Sequence, residues 1–234
     1  MSKRAIGREE ALNLLEKSVI DRGQDWIYPD HIANESLLCQ YFIPPNYIQQ
    51  QIDEAREVLR FRRFQKENTY TDEQIEDLAL AAGEAVRKEL EESGLQQNGP
   101  ACLVGQALSY VGLNYDMAEV EALNEAAVES LAISVNNNSI LSNTLDWWMT
   151  VAALDVMRVA QVCNDRHVPW GVALKIASEY PGWNKDQKSE YNPEYTASAD
   201  EQADRYANDR ITQYFMDQAA ARDVVDKTME VLES

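Results

Sequence analysis

Cysteine, histidine and aspartate are the residue types of this chain that could together perform nucleophilic chemistry. The segment GPACLVGQALSYVGLN contains Cys102, which follows Pro100 at the predicted first turn of a helix. Helix N-termini lower the pKa of a thiol. A nucleophilic cysteine also needs a base and a third group that orients the base. His167 and Asp165 are the candidates for these two roles.

The apolar sequence around Cys102 favours packing over catalysis. Leu103, Val104 and Leu108 follow it closely, and free cysteine is among the most frequently buried residue types. A buried thiol without an activating neighbour is inert. We therefore expect no catalytic residues, and we keep Cys102 with His167 and Asp165 as the alternative, the site of a small enzyme.

Two short segments, YPDHIANE and CNDRH, carry residue types that bind metal ions. Their candidate ligands are Asp30, His31, Glu35, Cys163, Asp165 and His167. Neither segment has the ligand spacing of a zinc or di-iron site. At a predicted helix end, histidine and aspartate also stabilise the turn. The sequence predicts neither a metal nor a cofactor.

The segment REVLRFRRFQK is the clearest local reversal of the chain's acidic character. Its cations at helical spacing, with Phe61 and Phe64 beside them, are Arg56, Arg60, Arg63 and Lys66. Two interpretations are open. The cations contact a partner, or they pair with carboxylates, including those of the following helix, and the sequence favours the pairing. As a partner, an acidic protein surface fits better than DNA.

Trp147 is the other candidate for a partner contact. It is adjacent to Trp148, so the two side chains of a helix would point about 100° apart. At least one of them is therefore expected at a boundary or interface, and we assign this role to Trp147.

The elements that must position these residues are mainly helical. Apolar residues recur at helical spacing, which predicts an irregular multi-helix bundle, and the aromatic runs 26–28 and 37–42 predict a small β-ribbon near the N-terminus. Thr71 and Gln74 form a predicted capping box, and Thr144 precedes the longest apolar helix. The predicted organisation is a helical core (1–43 and 98–182), an inserted helical hairpin (44–97), a linker (183–198) and a long C-terminal helix (199–234).

Charge and cysteine usage limit the function classes. The 234 residues include 40 carboxylates and 21 cations, a formal net charge of −19. Such a charge repels nucleic acid and anionic membranes, so we expect neither as a direct partner. Three cysteines without a CxxC pair fit a reducing compartment. With no apolar run of membrane-spanning length, the sequence predicts a cytoplasmic protein.

Three segments carry a resemblance to a known group of proteins. GPACLVGQAL, AALDVMRVAQVCNDRHVPWGVALKIA and ALNLLEKSVIDRGQDWIYP resemble small helical proteins of actinobacteria and their bacteriophages. The matching positions are Cys102, Leu103, Val104, Gly105, Ala160, Gln161, Asp165, Pro169, Trp170, Gly171, Ala173 and Leu174. The resemblance implies that 44–97 is an insertion and that the chain comes from a phage genome. It implies no particular chemistry.

Together these patterns predict a non-enzymatic, phage-type protein that binds a host or viral protein in the host cytoplasm. It would act as an inhibitor or adaptor, with imitation of DNA as one variant. Two alternatives stay open, a virion or assembly component that forms homo-oligomers through the C-terminal helix, and a small enzyme that uses Cys102 with His167.

Overall fold

The computed structural model describes residues 4–29, 42–112, 147–191 and 194–232. These residues form the predicted mainly helical, multi-helix bundle. Its helices are α1 (Arg8–Arg22), α2 (Tyr47–Phe64), α3 (Asp72–Glu92), α4 (Leu103–Ser109), α5 (Val151–Asp165), α6 (Trp170–Glu179) and α7 (Ala199–Leu232). Thr144 lies outside the described residues.

A two-stranded parallel ribbon joins the N-terminus to the chain before α5. Strand β1 (Arg4–Ile6) pairs with β2 (Trp147–Met149), with Ala5 opposite Trp148. These are not the strands that the sequence predicted. Residues 26–28 are not in a strand, 37–41 lie outside the described residues, and Phe42 makes an isolated bridge to Pro100.

Helix α5 is the central element of the core. It begins at Val151, because the Thr150 hydroxyl accepts a hydrogen bond from the Ala153 amide at 3.2 Å. The predicted start after Thr144 is therefore wrong, and Trp147–Met149 is a strand. Helices α1, α4, α6 and α7 all pack against α5, which buries Val156, Val159 and Cys163 completely.

Helices α2 and α3 form the predicted hairpin. The capping box at Thr71 and Gln74 is present, which confirms that prediction, and α3 ends before Gly94. Gly83 allows close approach, because a Cβ atom there would clash with the Ile52 side chain. The base of the hairpin joins the core through buried residues, namely Tyr47, Ile48, Leu90 and Leu95.

The predicted linker 183–198 folds back on the start of α7. Lys188 and Thr196 form an isolated antiparallel bridge, and the indole of Trp183 donates to the Ala197 carbonyl at 3.0 Å. Gln202 of α7 both accepts from the Asn184 amide and donates to its carbonyl, each at 2.8 Å. These two hydrogen bonds therefore fasten the segment to the helix.

Candidate functional site

Cys102 is the N-cap residue of α4 and is fully buried. Its sulfur accepts a hydrogen bond from the Gly105 amide at 3.2 Å, and its thiol donates to Gln161 Oε1 at 3.4 Å. Burial raises the pKa of the Cys102 thiol to about 12. The group is a neutral thiol at physiological pH, the opposite of what a nucleophile requires. Pro100 lies before the helix rather than in its first turn.

His167 and Asp165, the other two residues of the alternative enzyme site, lie at the end of α5. His167 has a left-handed backbone, φ 56°, and its Nδ1 lies 2.9 Å from the Tyr28 carbonyl oxygen. Asp165 Oδ1 accepts from Gln161 Nε2 at 2.6 Å. Partial desolvation raises the pKa of the Asp165 carboxyl, although the residue reaches solvent. Gln161 thus connects Cys102 to Asp165 as a hydrogen-bonded spacer.

Asn164 extends this polar network into the core. Its Oδ1 accepts from the Leu103 amide at 3.2 Å and from the Trp170 indole at 3.1 Å. Both Asn164 and Trp170 are fully buried. One amide oxygen therefore fastens α4, α5 and α6 together, and this arrangement stabilises the fold without presenting a reactive group.

Arg22, the last residue of α1, fastens that helix to the same region. Its guanidinium lies 4.9 Å from the Trp26 ring centroid, a cation–π distance. It donates to the carbonyl oxygens of Gly94 at 3.1 Å and Pro100 at 3.3 Å. Burial lowers the pKa of Arg22. These hydrogen bonds join the end of α1 to the loop that connects α3 with α4.

The candidate metal ligands fall in two segments of the chain. Asp30, His31 and Glu35 lie outside the described residues. Across 4–29, 42–112, 147–191 and 194–232, no group of three or more His, Cys, Asp or Glu side chains is placed to hold an ion.

The predicted partner-binding cations divide into two pairs. Arg56 makes a bidentate ion pair with Glu76 of α3 at 2.8 and 2.7 Å, and Arg63 pairs with Asp72 at 2.6 Å. These ion pairs confirm the predicted pairing with carboxylates of the following helix for Arg56 and Arg63. Arg60 and Lys66 are exposed.

Trp147, the remaining predicted contact residue, pairs through its backbone with Arg4 in the ribbon. Its side chain lies outside what the structure describes, so the predicted contact stays a prediction.

An apolar ridge that sequence reasoning did not single out runs along the solvent side of α2. Val58, Phe61 and Phe64 recur every three residues, so they form one row on the helix. Their exposed fractions are 42%, 62% and 81%. Because Ile48 and Ile52 face α3 and the core, this row points away from both. In the sequence, this row is visible as apolar residues three positions apart, and the arginines between them make the spacing hard to recognise.

Charged residues surround the ridge. Arg60 and Arg62 flank it near the C-terminal end of α2, and Glu54 and Glu57 lie beside it nearer the N-terminal end; all four are exposed. We call this surface the outer face of α2. It consists of Glu54, Glu57, Val58, Arg60, Phe61, Arg62 and Phe64.

A cleft of about 450 Å³ lies between residues 180–187 and α7. Its floor holds Gln202, whose amide is bonded to Asn184. Arg205 on its wall pairs with Glu201 at 3.0 Å. Because these polar groups bond one another, the cleft is the seam along which the segment docks.

Comparison with protein families, curated proteins and solved structures finds no match. In the part of the chain that the structure describes, no helix is long and apolar enough to cross a membrane.

Proposed function

We propose that this chain is a non-enzymatic protein-interaction protein that docks on a host or viral protein through the outer face of α2 and so inhibits or redirects it. The observation that carries the proposal is the exposure of Phe61 and Phe64, 62% and 81%. These rings lie at the end of the hairpin remote from its core residues Tyr47 and Leu90. Large apolar groups held in water at such a position are typical of interaction sites.

The form of the ridge supports a protein partner. An apolar row on one side of a helix is the pattern by which helices enter grooves on other proteins. Aromatic residues and arginine dominate binding energies at such interfaces. Arg60 and Arg62 beside the ridge fit acidic groups at the edge of the partner's surface.

The charge layout disfavours nucleic acid as the ligand. Glu54 and Glu57 lie on the same face as the arginines, and each would repel a phosphate backbone. The net charge of −19 adds repulsion at longer range. Arg56 and Arg63 pair with Glu76 and Asp72 of α3. Fewer cations of α2 are therefore available to a ligand than the four that the sequence predicts.

The buried state of Cys102 supports a function without covalent chemistry. Its thiol pKa is raised to about 12, its sulfur caps α4 by accepting from the Gly105 amide, and its thiol donates to Gln161 of α5. The resemblance to actinobacterial and phage proteins supplies the setting of the proposal, a phage-encoded protein in the host cytoplasm.

Affinity capture with chemical crosslinking in an actinobacterial host tests the proposal. The baits are the tagged chain and a Phe61→Ser, Phe64→Ser variant, which removes the two rings and leaves every charge in place. We expect proteins captured by the tagged chain to fall by about tenfold or more with the variant, because aromatic anchors dominate interface energies.

The matched control is Phe215→Ser with Met216→Ser, two residues of α7 with exposed fractions of 47% and 63%. The control is expected to capture the same proteins as the unaltered chain. Equal capture by all three baits, with unchanged circular dichroism, would contradict the proposal.

A further inference from the structure

The outer face of α2 is divided into halves of opposite charge. Glu54 and Glu57 lie on the N-terminal side of the apolar ridge, and Arg60 and Arg62 on the C-terminal side. All four side chains are exposed. Among the described residues none of the four makes an ion pair, although Arg60 lies near enough to Asp72 and Glu76 of α3 to lower the pKa of both carboxyls.

A surface divided in this way is complementary to itself. A two-fold axis reverses the direction of the helix, so the acidic half of one copy meets the basic half of the other. In an antiparallel pairing centred near Val58, Glu57 of each copy lies beside Arg60 of the second copy. Glu54 lies beside Arg62 on the other flank, and the ridge with Phe61 covers its counterpart between them.

We propose that a second copy of this chain covers the outer face of α2 when no other protein is docked there, in an antiparallel two-fold α2–α2 dimer. The inference rests on the proposed function, because it takes the same docking face, which the dimer must uncover before another protein binds. A uniformly acidic or uniformly basic foreign surface would leave one half of the face opposite like charge.

The net charge sets the conditions for this dimer. Two copies of charge −19 repel each other over a long distance at low salt. The ion pairs between the two α2 helices attract each other at contact distance. At about 0.15 M salt the screening length is about 8 Å, which weakens long-range repulsion more than contact pairs. Interfaces of one helix face are at the small end of specific interfaces, so we expect association in the micromolar range.

Sedimentation velocity with charge-reversed variants tests the dimer. The unaltered chain, measured up to about 0.5 mM, is expected to rise from 26.6 kDa towards twice that mass. Variant A, Glu54→Lys with Glu57→Lys, has a wholly basic face, and variant B, Arg60→Glu with Arg62→Glu, a wholly acidic one. Each alone is expected to remain monomeric, and an equimolar mixture is expected to recover the dimer.

Phe215→Ser is the control and is expected to dimerise like the unaltered chain. An unaltered chain that stays at 26.6 kDa, a dimer that survives in A and B, or an A and B mixture that stays monomeric would each overturn the inference.

The outcomes also separate this inference from the proposed function. A monomeric chain whose capture of another protein still depends on Phe61 and Phe64 would refute the second copy and keep the docking face. A monomeric chain whose capture does not depend on those rings would refute both.

Discussion

At the scale of single residues, the polar and aromatic groups around Cys102 are structural. Cys102 caps α4. Asn164 accepts hydrogen bonds from the Leu103 amide of α4 and the indole of Trp170 in α6, which is fully buried. Polar groups in a core are costly unless paired, and here each pairing joins two elements. The chemistry-bearing residue types thus serve to fix the bundle.

Cys102 is expected to resist thiol reagents. With an exposed fraction of 0% and a pKa of about 12, it should not react with Ellman's reagent at pH 8 in the folded protein. In urea it should react at the rate of an ordinary thiol. Peptide mapping by mass spectrometry assigns the label, and rapid labelling of native Cys102 would contradict its placement as a buried cap.

Asn164→Ala is expected to lower the free energy of unfolding by about 2 to 4 kcal/mol, because it leaves the Leu103 amide and the Trp170 indole buried without an acceptor. Urea denaturation followed by tryptophan fluorescence measures this change. The control Asn13→Ala, at an exposed position of α1, should change the value by less than about 0.5 kcal/mol. Equal effects of the two substitutions would refute the role given to Asn164.

At the scale of elements, the ends of α3 were predictable, whereas the start of α5 and the strand pairing were not. Thr71, Gln74 and Gly94 define α3 through contacts within a few residues, so local sequence is sufficient to place its ends. β2 pairs with β1, which is more than 140 residues earlier in the chain. The helical spacing of the neighbouring apolar residues extended the predicted helix over Trp147–Met149.

The candidate site was predictable to a similar degree. The sequence located the cations of α2, but their availability depends on Asp72 and Glu76, which the fold of the hairpin brings against Arg63 and Arg56. The exposure of Phe61 and Phe64 likewise depends on which side of α2 packs on α3.

Lys66 ends α2 in a left-handed conformation, φ 62°. Its amide donates to the Arg63 carbonyl and the Glu67 amide to the Arg62 carbonyl, both at 2.9 Å, the pattern of a Schellman motif. Lys66→Gly removes the steric cost of Cβ and should raise stability by about 0.5 to 1 kcal/mol. Thermal unfolding of this variant beside Lys66→Ala separates backbone strain from loss of charge, and a destabilised glycine variant would contradict the assignment.

Asp155 should make the junction with α7 sensitive to pH. The residue is 5% exposed, and its Oδ2 accepts from the Trp183 amide at 3.3 Å. Burial raises its pKa, as does Asp200 of α7, while Arg8 of α1 lowers it. The folded state therefore binds this proton more tightly than the unfolded state, and stability falls as pH rises through the raised pKa.

Asp155→Asn keeps the acceptor oxygen and removes the charge, so it should raise the melting temperature at pH 7. The gain should shrink as pH falls towards about 4, where an unfolded aspartate is itself protonated. Asp186→Asn, at an exposed position, is the control and should show no such trend. An equal gain at both pH values would contradict the burial of a charged Asp155.

At the scale of the whole molecule, the α2–α3 hairpin presents an exposed apolar ridge with charged residues on both sides of it. The core packs Cys102, Asn164 and Trp170, which are fully buried. On α2, the rings of Phe61 and Phe64 are exposed beside Arg60 and Arg62. The central claim is that this face contacts another protein.

Photocrosslinking from the ridge in cells tests that claim most directly. The probe is the substitution Phe61→p-benzoylphenylalanine, compared with Phe215→p-benzoylphenylalanine on α7. Irradiation is expected to give one discrete adduct from position 61, whose mass identifies the partner, and no such adduct from position 215. No adduct from position 61, or the same adducts from both positions, would contradict the claim.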